Sequence, residues 1–248
     1  RPEAFLVTAA SHLMGLRMTW ISPVSSEEDH AYILADAGVK ALFVDPAHFG
    51  ERARRLCSRI PAIEQLFGLG PLDDCEDILA ALDSYTPGPL QPCARPQDDC
   101  IVVYTGGTTG RPKGVVHSHL VQVTMTITQM AEWDWPNDIR FLALSPITHA
   151  AGAIIPTVLL RSGTFVTAQG FEVERFIDLV ERHRITATFL VPTMVYMLLD
   201  HPRLPAARLD SLALIVYGAA AMLPGRLVEA MARFGPVFMQ LYGQSEAP

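Results

Sequence analysis

Short apolar runs alternate with segments of helical periodicity along most of the chain, and this alternation constrains the fold more than any other feature. The clearest helix is 173–182, where Val173, Phe176, Ile177 and Val180 recur at helical spacing among charged residues. The strand candidates are 17–21, 40–44, 101–104, 141–144, 188–191, 212–217 and 237–242. This order favours an α/β fold in which mainly parallel sheets are layered between helices.

Three further helices and one boundary follow from local signals. Residues 3–14 and 226–234 are rich in helix-forming residues, and Ser25 lies three residues before Glu28, a capping-box spacing for a helix that ends at Gly38. Five chain breakers lie between Tyr85 and Asp99: Pro87, Gly88, Pro89, Pro92 and Pro96. They predict a linker. We therefore expect two α/β subdomains, 1–98 and 99–248.

Composition excludes some classes of function. The net charge of −7 argues against a nucleic-acid partner, because phosphate backbones are bound by clustered basic residues. The four cysteines, Cys57, Cys75, Cys93 and Cys100, form no C-x-x-C pair, which favours a reducing, cytoplasmic location. We expect no leader and no integral membrane segment, since no apolar run reaches spanning length.

Polar segments follow the predicted strands where each strand ends. They are 105–110, 145–152, 192–193, 218–221 and 243–246. Ligands of parallel sheets bind beyond the carboxyl ends of the strands. We therefore expect these segments to lie along one sheet edge and to form an extended site.

The most distinctive of them lies in YTGGTTGRPKG, residues 104–114. Gly106, Gly107 and Gly110 let backbone N–H groups approach an anion closely. Thr105, Thr108 and Thr109 add hydroxyl donors, and Lys113 adds a positive charge. The alternative is a glycine-rich turn from a strand to a helix. A Walker-type loop requires Ser or Thr after its lysine; here Gly114 follows Lys113, so a metal ligand must come from elsewhere.

This loop closely resembles the signature of the adenylate-forming superfamily, which includes acyl- and aryl-CoA ligases, luciferases and peptide-synthetase adenylation domains. The resemblance implies that the loop binds the β- and γ-phosphates of ATP and that 99–248 is the ATP-binding subdomain. It implies the fold of the large N-terminal domain, incomplete here. The chain would correspond to roughly the middle half of a family member, without the C-terminal domain that carries the catalytic lysine. We expect these residues alone to be inactive or weakly active.

LYGQSE, residues 241–246, resembles the second superfamily signature. By resemblance, Tyr242 and Gly243 lie near the nucleotide, the hydroxyl of Ser245 contacts the α-phosphate, and Glu246 binds Mg²⁺. A carboxylate oxygen is the kind of ligand that Mg²⁺ prefers. Without the first signature, a Ser-Glu pair at a strand end is more often a solvated turn.

YGAAA, residues 217–221, resembles the segment on which adenine lies flat. This resemblance assigns Gly218, Ala219 and Ala220 to the nucleotide, with Ala221 where the family often has proline. From composition alone, the segment is also consistent with tight packing of small residues.

SPITHAAG, residues 145–152, resembles the motif that places an aromatic residue or histidine beside the acyl carboxylate. His149 is the matching residue and would shape or gate the acid site, so that His149, Lys113 and Glu246 are the catalytic candidates. Amino-acid-activating relatives have an aspartate where this chain has Ala150, and a buried ammonium without a partner is costly. An acid without an α-amino group is therefore favoured.

Two other groups of residues are open to more than one interpretation. The first group lines an acyl pocket or belongs to an ordinary core; its members are Val191, Pro192, Thr193, Met194 and Met197. His117, Ser118 and His119 suggest zinc, but no cluster of Cys, Asp or Glu lies nearby in the sequence. We do not assign a metal to them.

The leading hypothesis is an acid–CoA ligase that converts a small-molecule carboxylic acid, fatty or aryl, to an acyl-adenylate and then to acyl-CoA. Its cofactors and co-substrates would be ATP, Mg²⁺ and coenzyme A. The alternative from another class is a nucleotide-binding fragment or degenerate copy without catalysis. A peptide-synthetase or luciferase-type enzyme is disfavoured by Ala150. The sequence leaves the acid, the acceptor and the oligomeric state open.

Overall fold

The computed structural model describes residues 2–106, 110–148 and 150–248. Two compact units divide the chain, 1–122 and 123–248. The boundary expected between residues 98 and 99 concerns subdomains of the longer family architecture and stays a prediction.

The first unit contains short strands and helices in alternation. Its helices are α1 (Pro2–Leu13), α2 (Glu27–Asp36), α3 (Pro46–Arg59) and α4 (Ile78–Asp83). Its strands are β1 (Met18–Thr19), β2 (Ala41–Val44), β3 (Gln65–Gly68), β4 (Glu76–Asp77), β5 (Asp99–Thr105) and β6 (Lys113–Ser118). The breaker-rich segment between α4 and β5 has neither helix nor strand from Tyr85 to Asp98, as its prolines predict.

These strands form two separate sheets. Strands β2, β3 and β4 are parallel, and α2 and α3 pack on them around Leu34, Leu56, Ile60 and Ile63. In the other sheet, of order β1-β5-β6, β1 is parallel to β5, whereas β5 and β6 are antiparallel. The predicted phosphate loop, residues 105–113, therefore joins two neighbouring strands of a hairpin.

The start of α2 corrects one prediction. The N-cap is Ser26, not Ser25, and its partner in the capping box is Asp29, not Glu28. The Ser26 hydroxyl accepts from the Asp29 N–H at 3.1 Å, and Asp29 accepts from the Ser26 N–H at 3.3 Å. Both spacings satisfy the motif, because a pair of serines precedes acidic residues here. Packing of Ile33 and Leu34 into the core selects the register.

The second unit begins within α5 (His119–Glu132), which starts in the first. Its strands are β7 (Arg140–Ala143), β8 (Thr164–Thr167), β9 (Ala187–Leu190), β10 (Leu214–Tyr217) and β11 (Phe238–Gln240). Its other helices are α6 (Ala150–Leu160), α7 (Val173–His183), α8 (Pro192–Leu199) and α9 (Pro224–Phe234), with a short 3₁₀ helix at Leu204–Ala206.

A five-stranded sheet of order β11-β10-β9-β7-β8 organises this unit, and all its pairings are parallel. Alternate residues of one strand face opposite sides. Leu142 and Ile215 belong to one apolar cluster, with α7 and α8, while Phe141 and Val216 belong to another, with α6. Burial of each large apolar side chain contributes about 1.5–3 kcal/mol. Both faces are therefore covered, as a parallel sheet requires.

Helix α7 confirms the helical pattern found in the sequence. Val173, Phe176, Ile177 and Val180, the predicted stripe, are all buried. The predicted fold class, mainly parallel sheets flanked by helices, is confirmed. In the described parts of the chain, no helix combines the length and the apolar character needed to cross a membrane.

Candidate functional site

The predicted phosphate loop connects β5 to β6. Thr105 and Lys113 form the last residue pair of the hairpin, and the chain between them connects its two strands. Gly106 and Gly110 are exposed. Lys113 is exposed too, and its ammonium has no hydrogen bond or ion pair with any described residue. Gly107, Thr108 and Thr109 lie outside the described residues. The Lys113 ammonium is therefore a positive charge, at the β6 end of this loop, that no described residue compensates.

The expectation of one common sheet edge is wrong for this segment. Residues 145–152, 192–193, 218–221 and 243–246 all follow strands of the five-stranded sheet. Strand β5, in contrast, pairs with β1 and β6. An apolar run predicts a strand but not its partner, because pairing is decided by contacts distant in sequence.

Segments 218–221 and 241–246 follow two adjacent parallel strands, β10 and β11. The Leu241 N–H donates to the Tyr217 carbonyl at 2.8 Å, which extends the pairing beyond the strands. Gly218 lies so close to this connection that a Cβ on it would be 2.5 Å from the Leu241 carbonyl oxygen. The structure therefore brings the predicted adenine segment and the second signature together through backbone contacts.

Ala219 has an unusual backbone conformation. Its φ is +65°, in the left-handed region that a side chain disfavours. Ala219, Ala220 and Ala221 are exposed directly after the buried strand β10. Strained conformations of this kind occur often at functional sites. The three alanines are small and accessible, as the predicted contact with an adenine ring requires.

The second signature is mostly exposed. The Tyr242 side chain is 83% exposed, and its hydroxyl accepts from the Gln244 side-chain amide at 3.1 Å. Gln244 and Ala247 exchange backbone hydrogen bonds at 3.2 and 3.0 Å, which closes the turn that holds Ser245 and Glu246. The Glu246 carboxylate is exposed and binds no other described group. Gly243 is exposed as well.

The proposed acid motif connects β7 to α6. His149 lies outside the described residues. Ala150, the first residue of α6, is exposed. Gly152 allows the first turn of α6 to pack on the Ile147 carbonyl, where a Cβ would overlap with the oxygen. The Thr148 hydroxyl is buried without a hydrogen-bond partner in the described residues.

The remaining candidates are dispersed. Met194 packs partly buried on the core cluster of the second unit, whereas Met197 on the same helix is 47% exposed. Pro192 is buried and Thr193 exposed at the start of α8. His117 is buried, with its Nδ1 3.0 Å from the Gln122 side-chain amide.

The contacts of Tyr104 and Arg111 with α2 were not predicted, because nothing in the local sequence pattern indicates them.

Comparison with known proteins assigns the family. The model of the AMP-binding enzyme family matches residues 1–248, and the chain belongs to this family. The predicted membership of the adenylate-forming superfamily is thereby confirmed.

Curated relatives and a solved structure agree with this assignment. The medium/long-chain-fatty-acid–CoA ligase FadD8 of Mycobacterium tuberculosis is 42% identical over 255 residues, covering 100% of this chain and 45% of that protein. A feruloyl-CoA synthase of an Amycolatopsis species is 34% identical, covering 89% and 42%. The amide bond synthetase McbA of Marinactinospora thermotolerans has a TM-score of 0.90 and 31% identity, covering 98% and 48%. The chain spans slightly less than half the length of these proteins.

Proposed function

We propose that the protein containing this chain uses ATP to activate a fatty or aryl carboxylic acid and transfers the acyl group to coenzyme A. The observation that carries the proposal is the match of the whole chain to the AMP-binding enzyme family. The fatty-acid–CoA ligase and the feruloyl-CoA synthase support an acid substrate and a CoA acceptor.

The reaction has two steps. The carboxylate attacks the α-phosphorus of ATP, the bond to the pyrophosphate oxygen breaks, and an acyl-adenylate forms. The CoA thiol then attacks the acyl carbon, loses its proton, and AMP leaves. In the first step an anion approaches a highly anionic nucleotide, so charge neutralisation and positioning dominate.

The two signature regions divide the nucleotide between them in this proposal. The loop would bind the β- and γ-phosphates through Lys113 and through Thr105, Gly106, Gly107, Thr108, Thr109 and Gly110. Adenine would lie on Gly218, Ala219 and Ala220, with Tyr242 and Gly243 nearby, and Ser245 would contact the α-phosphate. Exposure of Lys113, of the alanines and of Tyr242 supports these roles, since each is accessible to a ligand.

Glu246 is suited to the magnesium that accompanies ATP. Protein sites for this ion usually supply one or two carboxylates, and substrate phosphates and waters complete the coordination. Glu246 is an exposed carboxylate, and the described residues contain no group of three potential metal ligands. A single carboxylate therefore fits better than a full protein cage. When bound, Mg²⁺ neutralises part of the phosphate charge.

Ala150 supports an acid without an α-amino group. It presents a methyl group at the start of α6, where an amino acid's ammonium would need a carboxylate partner. His149 would shape the same site. The free state of Cys57, Cys75, Cys93 and Cys100 supports the cytoplasmic location, and the acidic net charge argues against nucleic acid as a partner.

The test is ATP–pyrophosphate exchange by the full-length protein with fatty, aryl and amino acids, followed by acceptor trials. We expect exchange with fatty or aryl acids and acyl transfer to CoA. Preference for an amino acid would refute the role of Ala150. Transfer only to an amine would place the protein with the amide bond synthetase instead.

The alternative function is nucleotide binding without catalysis. ATP binding without exchange for any acid would favour it. For the isolated 248-residue chain we expect nucleotide-dependent stabilisation at most, without acid-dependent AMP release. Robust acyl-CoA production by this chain alone would contradict that expectation.

A further inference from the structure

Tyr104 and Arg111 lie on either side of the glycines 106, 107 and 110 of the phosphate loop, and both contact one helix. We call the segments that carry them the two limbs of the loop. On the side of β5, the Tyr104 hydroxyl donates a hydrogen bond to the Asp36 carboxylate at 2.6 Å. On the side of β6, the Arg111 guanidinium lies over the Tyr32 ring, 5.3 Å from its centroid. Tyr32 and Asp36 are four residues apart on α2 and therefore share a face. One helical turn thus touches the loop before and after its glycines.

Gly114 makes the first contact possible. It faces Tyr104 across the hairpin, and a Cβ on Gly114 would lie 3.1 Å from Tyr104 Cζ and 3.3 Å from its hydroxyl oxygen. The same Cβ would be 2.8 Å from a methyl of Val102. The missing side chain allows the phenol to lie across β6 and reach α2.

The Tyr104 hydroxyl keeps its proton at physiological pH and so remains the donor to Asp36. Burial, and then the hydrogen bond to Asp36, raise the pKa of Tyr104 well above that of a free phenol. The Tyr104 hydroxyl is the only polar partner of the Asp36 carboxylate among the described residues. A carboxylate is unfavourable at a helix C-terminus, where the dipole is negative. The helix dipole therefore does not favour a carboxylate at position 36, whereas the hydrogen bond from Tyr104 does.

Arg111 has a similar position on the other limb. Its guanidinium forms no ion pair with a described residue, and its contact is the Tyr32 ring. A cation over an aromatic face contributes about 0.5–1 kcal/mol at an exposed site. The contact with Tyr32 thus positions the Arg111 guanidinium, two residues before Lys113 in the sequence, without neutralising its positive charge.

We propose that Tyr32 and Asp36 are positioning residues for the triphosphate of ATP, because they fix the two limbs of the phosphate loop through Arg111 and Tyr104. Residues that are already held in place lose less conformational freedom when a ligand binds. This inference rests on the proposed function, since it assigns α2 to the same ligand. A purely structural role would instead change the stability of the protein and affect all ligands equally.

The experiment compares variants of the full-length protein by their affinity for ATP and for adenosine and by their thermal stability. Tyr104→Phe removes only the hydroxyl, Asp36→Ala removes its acceptor, and Tyr32→Leu removes the ring under Arg111. We expect each to weaken ATP binding about three- to tenfold and adenosine binding less than about twofold. Tyr104→Phe combined with Asp36→Ala should have no greater effect than the stronger single change, because both remove one bond.

Two matched controls accompany these variants. Asp83, like Asp36, is an exposed residue at the end of a helix, but its carboxylate has no hydrogen bond or ion pair with a described residue. Tyr85 is 68% exposed, and its hydroxyl has no partner among the described residues. Asp83→Ala and Tyr85→Phe should leave both affinities unchanged.

The outcomes separate the two proposals. A wild-type protein that fails to bind ATP overturns the proposed function and the inference with it. If the wild type binds ATP, unchanged ATP affinity in Tyr104→Phe and Asp36→Ala overturns the inference alone. An equal loss of ATP and adenosine affinity also overturns it, because the contact would then only support the fold.

Discussion

The two signature regions are built in different ways. Residues 105–113 join antiparallel strands, and side chains on α2 contact both limbs. Segments 218–221 and 241–246 follow adjacent parallel strands and touch through main-chain atoms, at Gly218 and Leu241. Side chains can rotate away from a misfit, but backbone atoms in a sheet cannot. The second region should therefore tolerate changes in shape less well than the first.

The largest loss of stability should come from Gly218→Ala in the second region. Gly114→Ala is the matched change in the first region. The new Cβ at 218 would be 2.5 Å from the Leu241 carbonyl oxygen, whereas at 114 the neighbours are side-chain atoms of Val102 and Tyr104, at 2.8 and 3.1 Å. We expect the free energy of unfolding to fall by about 3 kcal/mol or more for Gly218→Ala and by about 1 kcal/mol for Gly114→Ala. Denaturant titration measures both; equal losses would remove the contrast between the regions.

Lys113→Ala tests what the first region binds. Lys113 is exposed and its ammonium has no described partner, so its loss should hardly change stability. We expect ATP affinity to fall about tenfold, the effect of losing one charge-assisted contact, with little change for adenosine. Calorimetric titration with both ligands measures this. Equal losses for ATP and adenosine would assign Lys113 to some part of the site other than the phosphates.

Glu246→Gln is the corresponding test in the second region. The amide keeps the shape of the carboxylate but loses the negative charge that favours magnesium binding. Wild-type ATP binding should strengthen on addition of Mg²⁺, and in the variant this gain should shrink by about three- to tenfold. Binding of metal-free nucleotide is the internal control. An undiminished gain would mean that the ligand is another residue.

The smallest effect concerns the strained alanine. Ala219→Gly relieves a left-handed conformation that costs about 1 kcal/mol, but it also adds disorder to the unfolded chain. The two terms nearly cancel, so the free energy of unfolding should change by less than about 0.5 kcal/mol. Ala220→Gly, without a positive φ to relieve, should cost about 0.5–1 kcal/mol. A larger cost at 219 than at 220 would contradict the assigned conformation.

The local sequence pattern was sufficient to predict those helices and strands whose type is decided by residues close together in the chain. The buried stripe of α7 was readable because helical period and burial coincide at Val173, Phe176, Ile177 and Val180. Strands β9 and β10 were predicted because both are mainly apolar, and all their residues are buried, as those of strands covered on two faces are. In contrast, β4 has only Glu76 and Asp77 and carries no apolar signal, so the sequence gives no indication of it.

The sequence by itself determined the class of the protein, since two short segments, 104–114 and 241–246, carry residue patterns that resemble the signatures of the family. Only the tertiary structure decided that β5 lies outside the five-stranded sheet, that Gly218 meets Leu241, and that Asp36 holds Tyr104. The physical reason is the range of the interactions. Propensity and periodicity act over one or two turns of chain, whereas strand pairing and the contacts around the loop join residues far apart in sequence.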